Sequence, residues 1–444
     1  MTPPDPLRVA VVGSGPAGFY AASNLLTNGA EVDMFERLPT PWGLVRLGVA
    51  PDHPNIKAVS RVFEKVAQRP GFRFFGNVEI GRHLSADDLR NHYHAVVWSV
   101  GAQADRRMGI PGEDLPGSLA ATAFVAWYNG HPDYADVDVD LDVDRIVVVG
   151  NGNVAVDCAR MLALTAEELA PTDTTDDAIE AIVASRVKEI VILGRRGPLE
   201  AAYTTPELIE LGELAGADVA VDPAEAAVEV PADATTVQRR NVEIVREYAQ
   251  RAPTGKPRVV RLRYLASPVE LRGDGRVEEM VISRNRLEPG PDGALRAVPT
   301  GETEVLECGL VLRSVGYRGT PLEGVPFDPD RAVIPNEGGR VAPGEYCSGW
   351  IKRGPSGIIG TNKKDANETA ALVLEDAAAG LLPTPADPSP GAIEALVLER
   401  QPHLVEYAGW EAIDAHERDR GQPHGRPRVK LRTWDELMAL GRRS

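Results

Sequence analysis

The chain has 444 residues and a formal net charge of −17, from 48 Lys and Arg against 65 Asp and Glu. That balance argues against nucleic acid as a partner, because phosphate binding needs a basic footprint. No apolar run reaches the ~18 residues of a membrane helix, and no basic n-region precedes the first apolar run. A cytoplasmic protein is therefore expected, with two or three domains at roughly 100–200 residues each.

In chain order, an apolar strand over 7–12 leads into Gly13-Ser14-Gly15-Pro16-Ala17-Gly18. A helix follows and stops near Asn28-Gly29, and a second strand runs from Glu31 to Glu36. The Pro- and Gly-rich stretch 39–54 reads as a structured loop, 56–67 as one helix, and 72–75 and 95–100 as strands. Pro and Gly at 110–117 mark a crossing between domains. A second unit of the same kind opens with strand 145–149, the turn Gly150-Asn151-Gly152-Asn153-Val154-Ala155 and a helix to about residue 164. A polar insert, 165–187, separates it from strand 189–193, which ends at Gly194-Arg195-Arg196. Strand-like runs follow at 259–265, 277–282 and 309–314. A helix is expected over 364–379, a Pro-rich linker over 383–390, and amphipathic stretches near 393–400 and 434–440.

The two glycine turns differ chemically. In the first, Gly13 permits the tight bend, Gly15 lets backbone N–H groups approach a pyrophosphate, and Gly18 lets the helix pack against the strand. The anion then rests on the helix N-terminus. Glu36, 23 positions after Gly13, suits a ribose 2′-hydroxyl and repels a 2′-phosphate, so this turn suits FAD or NAD(H). The second turn ends in Ala155, and its second strand ends in Arg195 and Arg196. Guanidinium groups there match a 2′-phosphate with bidentate, charge-assisted bonds, the signature of NADP(H). The insert places Arg195 45 positions after Gly150, which leaves open that both arginines are solvated surface residues. Two nucleotides in one chain suit electron transfer between cofactors.

Cys158, Cys308 and Cys347 form no C-x-x-C pair. A dithiol centre and an iron–sulfur cluster are both unsupported, and no metal site is expected. Between 239 and 263 the charge balance reverses to eight basic residues against Glu243 and Glu247. This is either a solvated face or a docking surface for an acidic partner.

Several motifs make the reading specific: Pro41-Trp42-Gly43-Leu44-Val45-Arg46, Gly48-Val49-Ala50-Pro51-Asp52-His53-Pro54, the second glycine turn with Asp157, and Gly194-Arg195-Arg196-Gly197-Pro198. Further on stand Arg313-Ser314-Val315-Gly316-Tyr317-Arg318, the run from Gly349-Trp350 to Thr361-Asn362, and Pro423-His424-Gly425-Arg426-Pro427-Arg428-Val429-Lys430. With these, the chain resembles the adrenodoxin-reductase-like ferredoxin–NADP reductases from about residue 7 to 440. The resemblance implies an α/β fold of two Rossmann-like, three-layer dinucleotide-binding domains. A discontinuous FAD domain would span 1–104 and 318–444, with an NADP domain inserted at 105–317. It implies FAD held by Gly13, Gly15, Ala17, Gly18, Glu36, Leu44 and Val78, with Trp350, Gly357, Ile358 and Ile359 at the flavin end. It implies NADP(H) held by Asn151, Gly152, Asn153, Val154, Arg195, Arg196 and Gly357, with Glu207 near the nicotinamide. Family members usually carry an apolar residue where this chain has Pro206.

His53 is the family's active-site histidine candidate; a loop-ordering hydrogen bonder is the other reading of the same residue. Hydride transfer needs orientation more than an acid or base. His53 and Glu207 are therefore expected to position the nicotinamide, with Trp350 packed beside it. The expected activity is electron transfer from NADPH through FAD to a ferredoxin, by a monomer. Arg239, Arg240, Arg246, Lys363 and Lys364 are the candidate docking residues. The alternatives are an electron-input module like a glutamate-synthase small subunit, or a flavin-containing NAD(P)H sensor.

Overall fold

A computed structural model describes residues 6–291, 293–357 and 359–443. The strands in chain order are β1 (Arg8–Val12), β2 (Glu31–Glu36), β3 (Phe72–Gly76), β4 (Ala95–Trp98), β5 (Ala104–Asp105), β6 (Ser118–Ala120), β7 (Arg145–Val149), β8 (Glu189–Leu193) and β9 (Ala217–Val221). Then come β10 (Arg258–Arg263), β11 (Ala266–Arg272), β12 (Glu279–Pro289), β13 (Leu295–Glu307), β14 (Leu310–Arg313), β15 (Tyr317–Arg318), β16 (Arg340–Ala342) and β17 (Glu345–Cys347). The chain divides into two compact units, Met1–Ala104 with Gly316–Ser444, and Asp105–Val315. The second boundary thus falls before Gly316, two residues earlier than the expected 317.

The first unit is built on a six-stranded sheet in the order β16-β17-β4-β1-β2-β3, parallel except for the edge strand β16. β1 is buried at every position, as a central parallel strand must be when both faces are covered. Its side chains alternate between two cores. Val9 and Val11 face a core with Phe19, Phe63 and Ala366, which belong to the helices Pro16–Thr27, Ser60–Ala67 and Ile359–Ala378. Ala10 and Val12 face another with Leu89 and Val397, from the helices Ala86–His92 and Pro390–Arg400. The strand order reverses beside β1, so its carboxyl end lies at a topological switch point, where such sheets bind ligands.

The second unit has a six-stranded, all-parallel sheet in the order β6-β14-β7-β8-β10-β9. One of its faces is covered by a second sheet, the antiparallel β11-β12-β13. Val147, Val149, Val191 and Val311 pack there against Leu271, Met280, Ile282 and Leu306. Both units are mixed α/β.

Several expected elements shift. The single helix over 56–67 is two, Pro54–Lys57 and Ser60–Ala67. Between them the bonds Val59 N–H to Ile56 O and Arg61 N–H to Ala58 O follow the tighter i→i+3 spacing. The polar insert 165–187 contains helices Ala166–Leu169 and Asp176–Ala184, the first opened by a capping box of Thr165 and Glu168. The expected helix 364–379 starts earlier, at Ile359.

Candidate dinucleotide sites

The first glycine turn follows β1 at the switch point. Gly13 has φ +100°, and an added Cβ would lie 2.5 Å from the Ser99 carbonyl oxygen. A Cβ on Gly18 would lie 2.1 Å from the Gly13 carbonyl oxygen, whereas one on Gly15 meets nothing within 4 Å. Two glycines are thus required by packing, and the third leaves open space in front of the helix Pro16–Thr27. Gly43 closes the other side: its Cβ would come within 2.9 Å of the Gly15 Cα. Ala17 is buried, and Leu44, 41% exposed, begins the short helix Leu44–Leu47.

Glu36 ends β2 with both carboxylate oxygens held. Oε2 accepts from the Ser14 N–H at 3.0 Å and its hydroxyl at 2.6 Å, and Oε1 accepts from the Leu38 N–H at 3.1 Å. Val78 donates its N–H to the Glu36 carbonyl, while its side chain is buried in the core. Backbone, not side chain, is what Val78 can offer at this end of the sheet.

The loop after β17 is pinned to the helix Ile359–Ala378. Asp365 accepts the Gly349 N–H at 2.5 Å and pairs with Lys352 at 2.8 Å. Gly349 has φ +77°, and its Cβ would lie 2.7 Å from that of Ala17. Trp350 stacks obliquely on Tyr317, with ring centroids 5.4 Å apart, and its buried Nε1 has no acceptor among the described residues. Gly357 has φ +82°; Ile359 begins the helix and packs partly into the core. Ile358 lies outside the described residues. His53 precedes the helix Pro54–Lys57, and its carbonyl accepts from the N–H groups of Ile56 and Lys57.

An open space before a helix N-terminus, a fixed acid and an orphaned indole N–H are the donors and acceptors that an adenine dinucleotide with a second ring system requires. The residues present therefore fit FAD.

In the second unit Gly150 has φ +133°, and its Cβ would lie 2.2 Å from the Ser314 carbonyl oxygen. Gly152 caps the helix Asn153–Ala163, and a Cβ on it would do no more than touch the Ala202 Cβ at 3.9 Å. Ala155, fully buried, is tolerated where the first unit requires glycine. Asn151 accepts the N–H groups of Ala202 and Tyr203 on its carbonyl, and the Asn153 side chain accepts that of Thr204 at 2.8 Å. Val154 follows in the first turn of the helix. The turn is thereby tied to the segment that carries Glu207.

Pro206 lies in the first turn of the helix Thr205–Leu211, where its missing N–H costs nothing. It supports the backbone there instead of disturbing it. Glu207 is buried, with Oε2 4.0 Å from the buried Arg160, which also bonds Asp157 at 2.6 Å. Arg195 is exposed at the end of β8, and Arg196 donates to the Glu200 carbonyl at 3.3 Å. These cationic groups beside an open helix N-terminus fit NADP(H).

The basic run 239–263 is largely engaged. Arg258 bonds the carbonyls of Val187, Leu164 and Ile182; Arg261 pairs with Glu189, and Arg263 with Glu225 and Glu304. Arg239 bonds the carbonyls of Pro231, Ala232 and Ala234, and Arg246 that of Val228. These arginines strap their own loops, a use the charge count did not reveal. Arg240 is exposed beside Glu243 and Glu247. Lys363 and Lys364 are exposed on the helix Ile359–Ala378.

Residues 7–192 match the model of the pyridine nucleotide-disulphide oxidoreductase family. The chain is 49% identical over 453 residues to NADPH-ferredoxin reductase FprA of Mycobacterium tuberculosis (strain ATCC 25618 / H37Rv), covering 98% of this chain and 99% of that one. It is 44% identical to human mitochondrial NADPH:adrenodoxin oxidoreductase, covering 98% and 91%. This chain belongs to the adrenodoxin-reductase-like ferredoxin–NADP reductase family. A solved structure of M. tuberculosis FprA in complex with NADPH matches it with a TM-score of 0.94 at 48% identity, over 98% of this chain and 99% of that one. As a family member it is an FAD- and NADP(H)-dependent oxidoreductase. All three cysteines are free and buried, and burial pushes the thiols of Cys308 and Cys347 up to about 12. No helix among the described residues is long and apolar enough to cross a membrane.

Proposed function

We propose that this protein carries electrons from NADPH through FAD to a ferredoxin, as a cytoplasmic monomer. The observation that carries the reading is the opposite charge at the two strand ends, Glu36 after β2 and Arg195-Arg196 after β8. The first accepts hydrogen bonds from a ribose diol; the second pairs with a 2′-phosphate.

FAD, when bound, supplies the conversion between a two-electron donor and a one-electron acceptor. The protein's part is to bind and orient. The turn at Gly13, Gly15 and Gly18 with Glu36, Leu44 and the Val78 backbone holds the adenosine half of FAD. Trp350, Gly357 and Ile359 border the flavin. Asn151 to Val154 take the NADP(H) pyrophosphate, while His53 and Glu207 orient the nicotinamide. Lys363 and Lys364 on the first unit are the cations offered to the acceptor, with Arg240 on the second unit as a separate candidate beside Glu243 and Glu247.

The test is a visible spectrum of the purified protein, followed by steady-state kinetics. A flavin spectrum bleached by NADPH, with kcat/KM for ferredoxin reduction well above that with NADH, is the expected result. A bleached flavin that passes no electrons to any ferredoxin would favour the sensor reading.

A further inference from the structure

The short helix Trp350–Arg353 carries two adjacent cations that the fold treats differently. Lys352 is neutralised: its Nζ lies 2.8 Å from Asp365 and 3.2 Å from the Thr369 hydroxyl. Arg353 is not. Its Nη2 donates to the Asn362 Oδ1 at 2.7 Å. Its Nε and Nη1 are buried and meet no acceptor among the described residues, and no carboxylate there pairs with it. The side chain as a whole is half-buried, but two unsatisfied buried donors without counter-charge are costly and call for a specific explanation.

The surroundings of Asn362 indicate what completes the site. A Cβ on Gly349 would lie 3.8 Å from the Asn362 Oδ1 and 2.7 Å from the Ala17 Cβ. Ala17 sits in the first turn of the helix Pro16–Thr27, two residues after Gly15, whose added Cβ would meet nothing within 4 Å. Arg353's anchor thus converges with the glycine turn at the carboxyl end of β1. Positive φ at both Gly349 and Gly354 folds the helix back at its two ends.

We propose that Arg353 is the counter-charge for the diphosphate of bound FAD, donating from Nε and Nη1. A permanently charged guanidinium matches a permanently charged diphosphate, and its planar donor fork suits phosphate oxygens. The proposal rests on the FAD reading of the first unit.

The experiment compares wild-type protein with Arg353→Gln, Arg353→Lys and Glu36→Gln. Each is stripped of flavin and titrated with FAD by fluorescence; the thermal midpoint of each apo-protein and the flavin midpoint potential of each holo-protein are also measured. Arg353→Gln should raise the FAD Kd at least tenfold, and Arg353→Lys should recover part of that loss. The apo-protein midpoint should hardly fall, because the guanidinium has no counter-charge there and bonds only the neutral Asn362 Oδ1, and the flavin potential should not move. A lowered apo midpoint with unchanged Kd would mean a merely structural arginine and overturns the proposal. A shifted potential with unchanged Kd places the contact on the isoalloxazine and overturns it as well. If Glu36→Gln weakens FAD and Arg353→Gln does not, the Arg353 assignment alone fails. If neither does, the FAD reading of this unit fails.

Discussion

Arg195 and Arg196 stand where β8 ends, close to the turn that follows β7, and each is available to a phosphate in its own way. Arg195 is exposed, while Arg196 is held by one weak carbonyl bond. A charge-assisted hydrogen bond contributes ~1.5–3 kcal/mol. Arg195→Ala with Arg196→Ala should therefore lower kcat/KM for NADPH by ~10–100-fold or more and leave that for NADH nearly unchanged; equal losses with both would remove these residues from 2′-phosphate recognition. His53 is a different case. Its carbonyl caps a short helix, a backbone role that any residue there keeps, so a substitution tests the imidazole itself. Replacing it with Gln should slow single-turnover flavin reduction by NADPH while leaving FAD retention intact. An unchanged rate would leave His53 as a loop-ordering residue.

The helix Tyr407–Gly421 shows how an element holds a site that it does not touch. Its Glu417, fully buried, takes both Nη groups of Arg46 at 2.8 and 2.6 Å, one from Arg428 at 3.2 Å, and the Leu431 N–H at 2.9 Å. Arg46 lies in the short helix Leu44–Leu47, capped by the Gly43 that presses on Gly15, and it stacks over Trp410. The C-terminal motif is thereby locked to the flavin-side loop. Burial alone would raise the Glu417 pKa, but Arg46, Arg428 and the Leu431 N–H outweigh it and hold the carboxyl below its ordinary value. A depressed folded-state pKa gives stability that is complete above the unfolded value of ~4.3 and is lost as pH falls through the folded value. Glu417→Gln should cost ~3–5 kcal/mol at pH 7, as expected for breaking a buried pair, and the gap between variant and wild type should narrow below pH 4. Denaturant unfolding at both pH values measures it; a constant gap would deny the linkage. This helix was illegible in the sequence because a charged residue, Glu417, interrupts its apolar stripe of Trp410 and Ile413. Of the β11–β13 sheet only β12 is marked in the sequence, by the run 277–282; β13 is mostly exposed, so no apolar alternation marks it. By contrast, β1, β2, β7 and β8 with their glycine turns were readable throughout. A central parallel strand must be continuously apolar, and the turns need residues whose Cβ would collide.

Each unit has its own cores, and the chain crosses between the units only at 104–105 and 315–316. Folding energy is therefore gathered within a unit, and a ligand that binds one unit should stabilise that unit first. Binding to the native state alone adds RT ln(1 + [L]/Kd), ~2.7 kcal/mol at a hundredfold excess over Kd. Local opening reports such gains segment by segment. On this division, NADP+ added to flavin-free protein should slow amide exchange in β7 and the helix Asn153–Ala163 while leaving β1 and the helix Pro16–Thr27 nearly as they were. FAD should do the reverse. The net charge of −17 gives the experiment a control, since anionic ligands screened or repelled by the whole molecule would act on both units alike. Equal protection of both glycine turns by either nucleotide would mean that the turns do not select their ligands by the strand-end charges of Glu36 and Arg195-Arg196.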